Sequence, residues 1–102
     1  MEIEAKSLEH KLSQPGAPLL LDVRQPQETA AEGVIDGALL IPMNELPARL
    51  AEIPAGREIV AVCKSGMRSG HAANWLRAQG RTAVSLQGGM DRWKALGLPV
   101  KR

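Results

Sequence analysis

The sequence contains few aromatic residues and a single cysteine. It has two Trp but no Tyr and no Phe, so the core must be built from Leu, Ile, Val, Ala and Met. Few aromatic side chains are available to stack on nucleic-acid bases. One Cys excludes an internal disulfide, and it does not combine with the two His residues at the spacing of a zinc site. We therefore expect no metal and no structural cross-link.

The chain also lacks an excess of charge of one sign and lacks long apolar runs. Its 13 basic and 11 acidic residues give a net charge of +2, which does not favour nucleic-acid binding. The apolar runs reach about five residues, against about 20 for a membrane span, and the acidic start does not resemble a signal peptide. We expect one domain over residues 1–102 in the cytoplasm, with no membrane or nucleic-acid partner.

Short apolar runs alternate with amphipathic stretches. The runs at 19–23, 38–41, 59–63 and 82–86 are typical of parallel strands that are covered on both faces. The spacing of apolar residues predicts four helices. Their markers are Leu8 and Leu12; Leu46, Leu50 and Ile53 behind a possible Asn44 cap; Ala72, Trp75 and Leu76 before Gly80; and Met90, Trp93 and Leu96 before Gly97 and Pro99.

This alternation predicts an open α/β sheet with right-handed crossovers. Ligands of such sheets bind beyond the carboxyl ends of the strands. Three segments follow strands in that way, namely 22–24, the stretch from Cys63 onward, and 87–89.

The stretch from Cys63 to Ser69 carries the most chemical information. A buried strand leads into Cys63, four residues separate it from Arg68, and a helix follows. Gly66 gives such a loop the freedom to turn its amides inward. These amides, the helix dipole and the cations Lys64 and Arg68 favour the thiolate over the thiol. A cysteine that merely fills the core is the alternative, but it needs no polar, cationic loop beside it.

Four segments together resemble the rhodanese domain in order and spacing. They are Leu21-Asp22-Val23-Arg24, Gly37-Ala38, Cys63-Lys64-Ser65-Gly66-Met67-Arg68-Ser69 and Gly88-Gly89-Met90-Asp91-Arg92-Trp93, and the resemblance runs from about residue 3 to residue 100. It implies a rhodanese-like α/β fold, a five-stranded parallel sheet flanked by helices on both faces, and thiosulfate-type sulfurtransferase activity.

The resemblance also implies roles for individual residues. Cys63 would form the persulfide, the amides of Lys64 through Arg68 would cradle it, and the side chains of Lys64 and Arg68 would attract the anionic donor. Pocket support would come from Asp22, Arg24, Gly88 and Gly89, although a surface ion pair is an equally good interpretation of Asp22 and Arg24. The implied active-site loop consists of Lys64, Ser65, Gly66, Met67, Arg68 and Ser69.

Some positions depart from the family's usual pattern. Lys64 stands where Arg is commoner, Val34 and Asp36 stand where His and Pro are frequent, and Thr29 replaces a frequent aromatic residue. These departures leave the donor preference and the pocket entrance open. We expect His10 and His71 to face solvent, together with the polar face of the last helix, which is formed by Asp91, Arg92 and Lys94.

The predicted reaction is covalent catalysis without a cofactor. Thiosulfate would load sulfur onto Cys63, and an external acceptor would remove it, for example cyanide, thioredoxin or glutathione, since the chain has no second Cys. A persulfide carrier that delivers sulfur to a protein partner would have the same loop. Phosphatase or arsenate reductase chemistry is disfavoured, because the related dual-specificity phosphatases separate Cys from Arg by five residues.

Overall fold

The structure is a computed structural model that describes residues 1–102. Its centre is a sheet of five strands in the order β1-β5-β4-β2-β3, and every neighbouring pair is parallel. The strands are β1 Glu2–Ile3, β2 Leu19–Asp22, β3 Leu39–Leu40, β4 Ile59–Val62 and β5 Ala83–Leu86.

Helical segments connect the strands. They are α1 Ala5–Leu12, α2 Pro26–Glu32, α3 Leu46–Arg49, α4 Met67–Ala78 and α5 Gly89–Ala95, with 3₁₀ turns at Met43–Glu45 and Leu50–Glu52 on either side of α3. No helix has both the length and the apolar character that a membrane crossing requires.

Successive residues of the central strand serve two separate cores. Ile59 and Ala61 of β4 pack with the buried residues of α3 and α4, whereas Val60 and Val62 pack with those of α1 and α5. This alternation follows from the two-residue period of a strand. Both faces of the sheet are therefore covered, which explains why the strand has no polar residue. Cys63 follows in register and lies on the α4 side.

The α/β class and the five-stranded parallel sheet are confirmed. The four apolar runs all form strands, but the run at 38–41 forms only the two residues of β3. This strand lies at the sheet edge, where Leu40 is exposed. The spacing of apolar residues did not predict β1, because two residues at the opposite edge are too short to show a period.

The predicted continuous helix through Leu46, Leu50 and Ile53 is wrong. Pro47 lies in the first turn of α3, and the backbone leaves helical geometry at Arg49, so the segment becomes a short helix between two 3₁₀ turns. The predicted cap at Asn44 is also wrong. Its side chain instead accepts a hydrogen bond from Gln25 at 3.2 Å.

Helix α2 was not predicted, because none of its residues is buried and it has no apolar stripe. The sequence feature that marks its start is a capping box. Gln25 is the N-cap residue, Pro26 is the first residue of the helix, and the Glu28 side chain accepts a hydrogen bond from the Gln25 amide at 3.0 Å. This cap fixes Glu28 on the first turn of α2.

Candidate active site

The Cys63 sulfur is the centre of a tight loop between β4 and α4. Its Sγ accepts hydrogen bonds from the amides of Gly66 at 3.1 Å and Ser69 at 3.3 Å, and it lies 3.3 Å from Ser69 Oγ. Gly66 reaches this geometry with a φ of +103°, a backbone conformation that suits glycine. The predicted inward turn of the loop amides is thus present at Gly66, and the Ser69 amide adds a contact that lay outside the predicted cradle.

Burial alone does not separate a packing cysteine from a nucleophile. Cys63 is only 1% exposed and contacts the apolar core. However, its sulfur has three polar neighbours that all come from the loop and from the first turn of α4. A thiolate accepts such hydrogen bonds well, whereas a cysteine that only fills space needs none. The sulfur therefore lies among polar groups of the loop, although it is buried.

Further donors line the same short loop. The amides of Lys64, Ser65, Met67 and Arg68 donate no hydrogen bond within the protein. They belong to the loop and to the start of α4, where backbone donors have no acceptor within the helix. Successive free amides of this kind form an anion-binding nest. The loop can therefore hold a negatively charged atom or group next to Cys63.

Helix α5 fixes the direction of the loop carbonyls. The amides of Met90 and Asp91 donate to the carbonyls of Cys63 at 2.8 Å and Lys64 at 2.9 Å. The absence of a side chain at Gly89 lets the start of α5 lie this close to the loop, since a β-carbon there would lie 2.5 Å from both carbonyl oxygens. Gly89 thus lets α5 lie directly against the loop backbone. Pocket support by Gly88 and Gly89 stays a prediction.

A pair of serines extends the polar surroundings of the sulfur into the sheet. Ser69 Oγ lies 2.7 Å from Ser85 Oγ, and both side chains are buried. Each hydroxyl also lies near the Gly66 carbonyl, at 3.2 Å for Ser69 and 3.4 Å for Ser85. Sequence reasoning did not select Ser85. The only available signal was one hydroxyl within an otherwise apolar strand.

Arg68 points its guanidinium at a carboxylate of α2. Its two terminal nitrogens donate to the two oxygens of Glu28 at 2.7 and 2.9 Å. This paired hydrogen bond lowers the pKa of Glu28 to about 2, even though partial burial acts in the opposite direction. Glu28 is also a residue that sequence reasoning missed. The charge of Cys63 still acts on Arg68 and contributes to its raised pKa, after the larger contribution from Glu28.

Lys64 is likewise paired with acidic side chains. Its ammonium lies 3.1 Å from Asp91 and 3.8 Å from Glu32, and the hydrogen bond with Asp91 raises its pKa. Lys64 and Arg68 thus both have carboxylate partners, and their attraction of an anionic donor stays a prediction. The α2 and α5 carboxylates that neutralise them lie far away in sequence.

Asp22 and Arg24 form a buried pair, so their interpretation as a surface ion pair is wrong. They are 1% and 2% exposed, and the guanidinium lies 2.7 Å from the Asp22 carboxylate. Burial opposes the charge of Arg24, but hydrogen bonds and the charge of Asp22 outweigh it and raise its pKa. Arg24 also donates to the Gly33 carbonyl at 2.8 Å, and neither side chain forms a hydrogen bond with the Cys63 sulfur.

The remaining candidate positions lie at the surface. His10 and His71 are exposed, as expected. Asp91 and Arg92 are exposed as well, but Asp91 differs from the prediction of a simply solvated face because it binds Lys64. Asp36 and Val34 contact Lys101 near the end of the chain rather than the Cys63 loop. No group of three or more His, Cys, Asp or Glu side chains is arranged to hold a metal ion.

Comparisons with known proteins agree with this architecture. The family model for the rhodanese-like domain matches residues 4–96. A protein named sulfurtransferase from Allochromatium vinosum is 42% identical over 97% of this chain and 92% of its own length. The putative sulfurtransferase YtwF of Bacillus subtilis is 36% identical over 91% of this chain and 89% of its own.

A solved structure extends the similarity to the fold. The crystal structure of a rhodanese-related protein from Thermoplasma volcanium matches with a TM-score of 0.91 and 30% identity, over 98% of this chain and 96% of that one. Together with the named relatives, it supports sulfur transfer as the general chemistry of the site. The chain belongs to the rhodanese-like domain family.

Proposed function

We propose that this protein transfers sulfane sulfur through a persulfide on Cys63, with thiosulfate or a similar anion as donor and cyanide or a thiol as acceptor. The observation that carries the proposal is the Cys63 sulfur held by two loop amides, beside further loop amides that have no acceptor in the protein. A persulfide places a second, anionic sulfur atom in such a nest.

The first half-reaction loads the enzyme. The Cys63 thiolate attacks the outer sulfur of thiosulfate, a sulfur–sulfur bond to Cys63 forms, and the bond to the sulfonate sulfur breaks. Sulfite leaves with the electron pair of the broken bond. The loop amides stabilise negative charge on the transferred sulfur, as in other sites where fixed dipoles face a developing anion.

The second half-reaction returns the free thiolate. Cyanide attacks the outer sulfur of the persulfide and leaves as thiocyanate, and the electron pair of the sulfur–sulfur bond returns to Cys63. A small thiol, glutathione or the protein thiol of thioredoxin takes the same sulfur as a persulfide of its own. No cofactor takes part, and the kinetics should be ping-pong.

Intact-mass spectrometry after incubation with thiosulfate tests the proposal. The wild-type protein should gain the mass of one sulfur atom, and cyanide should remove it. Cys63→Ser should gain nothing, while Ser65→Cys in that background places a thiol on the same loop as a matched control for nonspecific sulfuration. A wild-type protein that stays unmodified after reduction and exposure to donor would refute the persulfide. A persulfide that forms but passes to cyanide very slowly would instead identify a carrier with a protein acceptor.

A further inference from the structure

Carboxylates neutralise both active-site cations, and we propose that Glu28 thereby sets the donor class, favouring sulfane-sulfur donors of low charge over dianionic thiosulfate. The proposal rests on the function proposed above. Its preferred donors are organic thiosulfonates and persulfides of small thiols, which carry at most one negative charge at the reacting end. Glu28 acts as a specificity-determining residue through Arg68.

The first step of the argument is the geometry of Arg68. Both terminal nitrogens of its guanidinium are used by the two oxygens of Glu28. A guanidinium binds an oxyanion best through such a paired contact. Thiosulfate therefore has to displace Glu28 or accept a less favourable position. Arg68 belongs to the first turn of α4, directly after the loop whose amides of Gly66 and Ser69 hold the Cys63 sulfur.

The second step is the balance of charge around the loop. Lys64 lies between Asp91 and Glu32, and Glu32 also lies 3.8 Å from Lys94 and 4.0 Å from Arg24. The buried partner of Arg24 is Asp22. Four cations thus face four carboxylates, and the site has no excess of positive charge. Attraction comes mainly from the loop amides, which suit one negative charge better than two. The cations are Arg24, Lys64, Arg68 and Lys94, and the carboxylates are Asp22, Glu28, Glu32 and Asp91.

Glu28 is the carboxylate whose charge can be removed with the least other change. Its Oε1 accepts the Gln25 amide in the cap of α2. A glutamine at the same position keeps an oxygen acceptor for that cap. Glu28→Gln therefore frees the charge of Arg68 while α2 retains its start.

The experiment compares kcat/KM for two donors of different charge, with cyanide as acceptor. Thiosulfate carries two negative charges and methanethiosulfonate carries one, and both deliver one sulfane sulfur to Cys63. In Glu28→Gln we expect kcat/KM to rise on the order of tenfold for thiosulfate and about threefold for methanethiosulfonate, because a Coulomb energy scales with donor charge. Glu52→Gln removes the same charge from the exposed Arg49 pair and should leave both values unchanged.

A second measurement needs no variant. For the wild-type protein, kcat/KM for thiosulfate should change less than about twofold between ~50 mM and ~500 mM salt, since a neutral site leaves little attraction to screen. A steep fall with salt, or an unchanged donor ratio in folded Glu28→Gln, would overturn the role of Glu28 while sulfur transfer itself stands. Failure of both donors to load wild-type Cys63 would refute the proposed function instead.

Discussion

The neighbouring parallel strands β2 and β4 have their carboxyl ends side by side, and the residues that follow them differ in how they are stabilised. After β2, Asp22 and Arg24 are charged, buried and bonded to each other. After β4, Cys63 is equally buried, but its partners are backbone amides and a hydroxyl. A buried ion pair such as Asp22–Arg24 stabilises the fold, whereas a sulfur atom that faces backbone amides remains available to react. We therefore interpret the first segment as a structural brace and propose the second as the reactive site.

The largest expected effect tests the brace. Asp22→Asn leaves Arg24 buried without its nearest countercharge, which should lower the free energy of unfolding by roughly 3–5 kcal/mol. Chemical denaturation measures this loss. Glu45→Gln, which breaks an exposed contact with Arg49, is the control and should cost less than about 1 kcal/mol.

The comparison also predicts what this change leaves intact. At a temperature at which Asp22→Asn is folded, persulfide formation on Cys63 should remain close to the wild-type rate. A folded variant that has lost sulfur transfer would show that the segment after β2 acts in the chemistry, and the distinction between brace and site would fail.

The next largest effect concerns the contact that positions the site. In Gly89→Ala the new β-carbon would meet the carbonyls of Cys63 and Lys64, so the loop has to move. A displacement of about 1 Å can cost on the order of 10²-fold in rate, and overpacking should destabilise the fold by about 1–3 kcal/mol. Stopped-flow sulfite release and thermal unfolding measure the two effects. Gly16→Ala is the control, because Gly16 also has a positive φ but open space around it; equal losses in both variants would mean that backbone strain is the whole effect.

A smaller effect should follow from the serine pair. Ser85→Ala removes the partner that orients the Ser69 hydroxyl beside the sulfur, and the rate of persulfide formation should fall about fivefold, the value of one hydrogen bond. Ser85→Thr keeps a hydroxyl and should recover most of that rate. Ser7→Ala on the exposed side of α1 controls for the loss of a serine in general. An unchanged rate in Ser85→Ala would limit the site to the loop itself.

The smallest effect is the pH dependence of the Glu28–Arg68 pair. The pKa of Glu28 is lowered to about 2 from 4.5, so its ionised form stabilises the fold above pH 4.5, and this contribution is lost as the pH falls toward 2. At pH 7 the wild-type protein should exceed Glu28→Gln by about 1 kcal/mol in unfolding free energy. Denaturation of both proteins at several pH values checks this. A difference that stays constant down to pH 2 would contradict the pairing.

Local patterns predicted the segment that carries the chemistry. An apolar strand, a cysteine, a Gly-containing turn and an amphipathic helix are consecutive in the chain, so β4, the loop and α4 could be predicted together from residues 59–80. The same holds for α1 and α5, whose buried faces repeat at helical spacing.

Features that depend on distant partners could not be predicted in this way. Glu28 and Arg68 are 40 positions apart, and Lys64 and Asp91 are 27 apart. No local pattern reports that such charges meet, and the composition shows only that the totals nearly balance. The burial of Asp22 was missed for the same reason, since it depends on elements that cover the strand end from elsewhere in the chain.

The most direct test of the account is the release of sulfite in the absence of any acceptor. Thiosulfate mixed with reduced protein should release about one sulfite per Cys63 in a single burst, as a covalent intermediate requires, and Cys63→Ser should release none. Thiocyanate should form only when cyanide is added afterwards. If sulfite appeared only when donor and cyanide were present together, transfer would be direct and the persulfide on Cys63 would be contradicted.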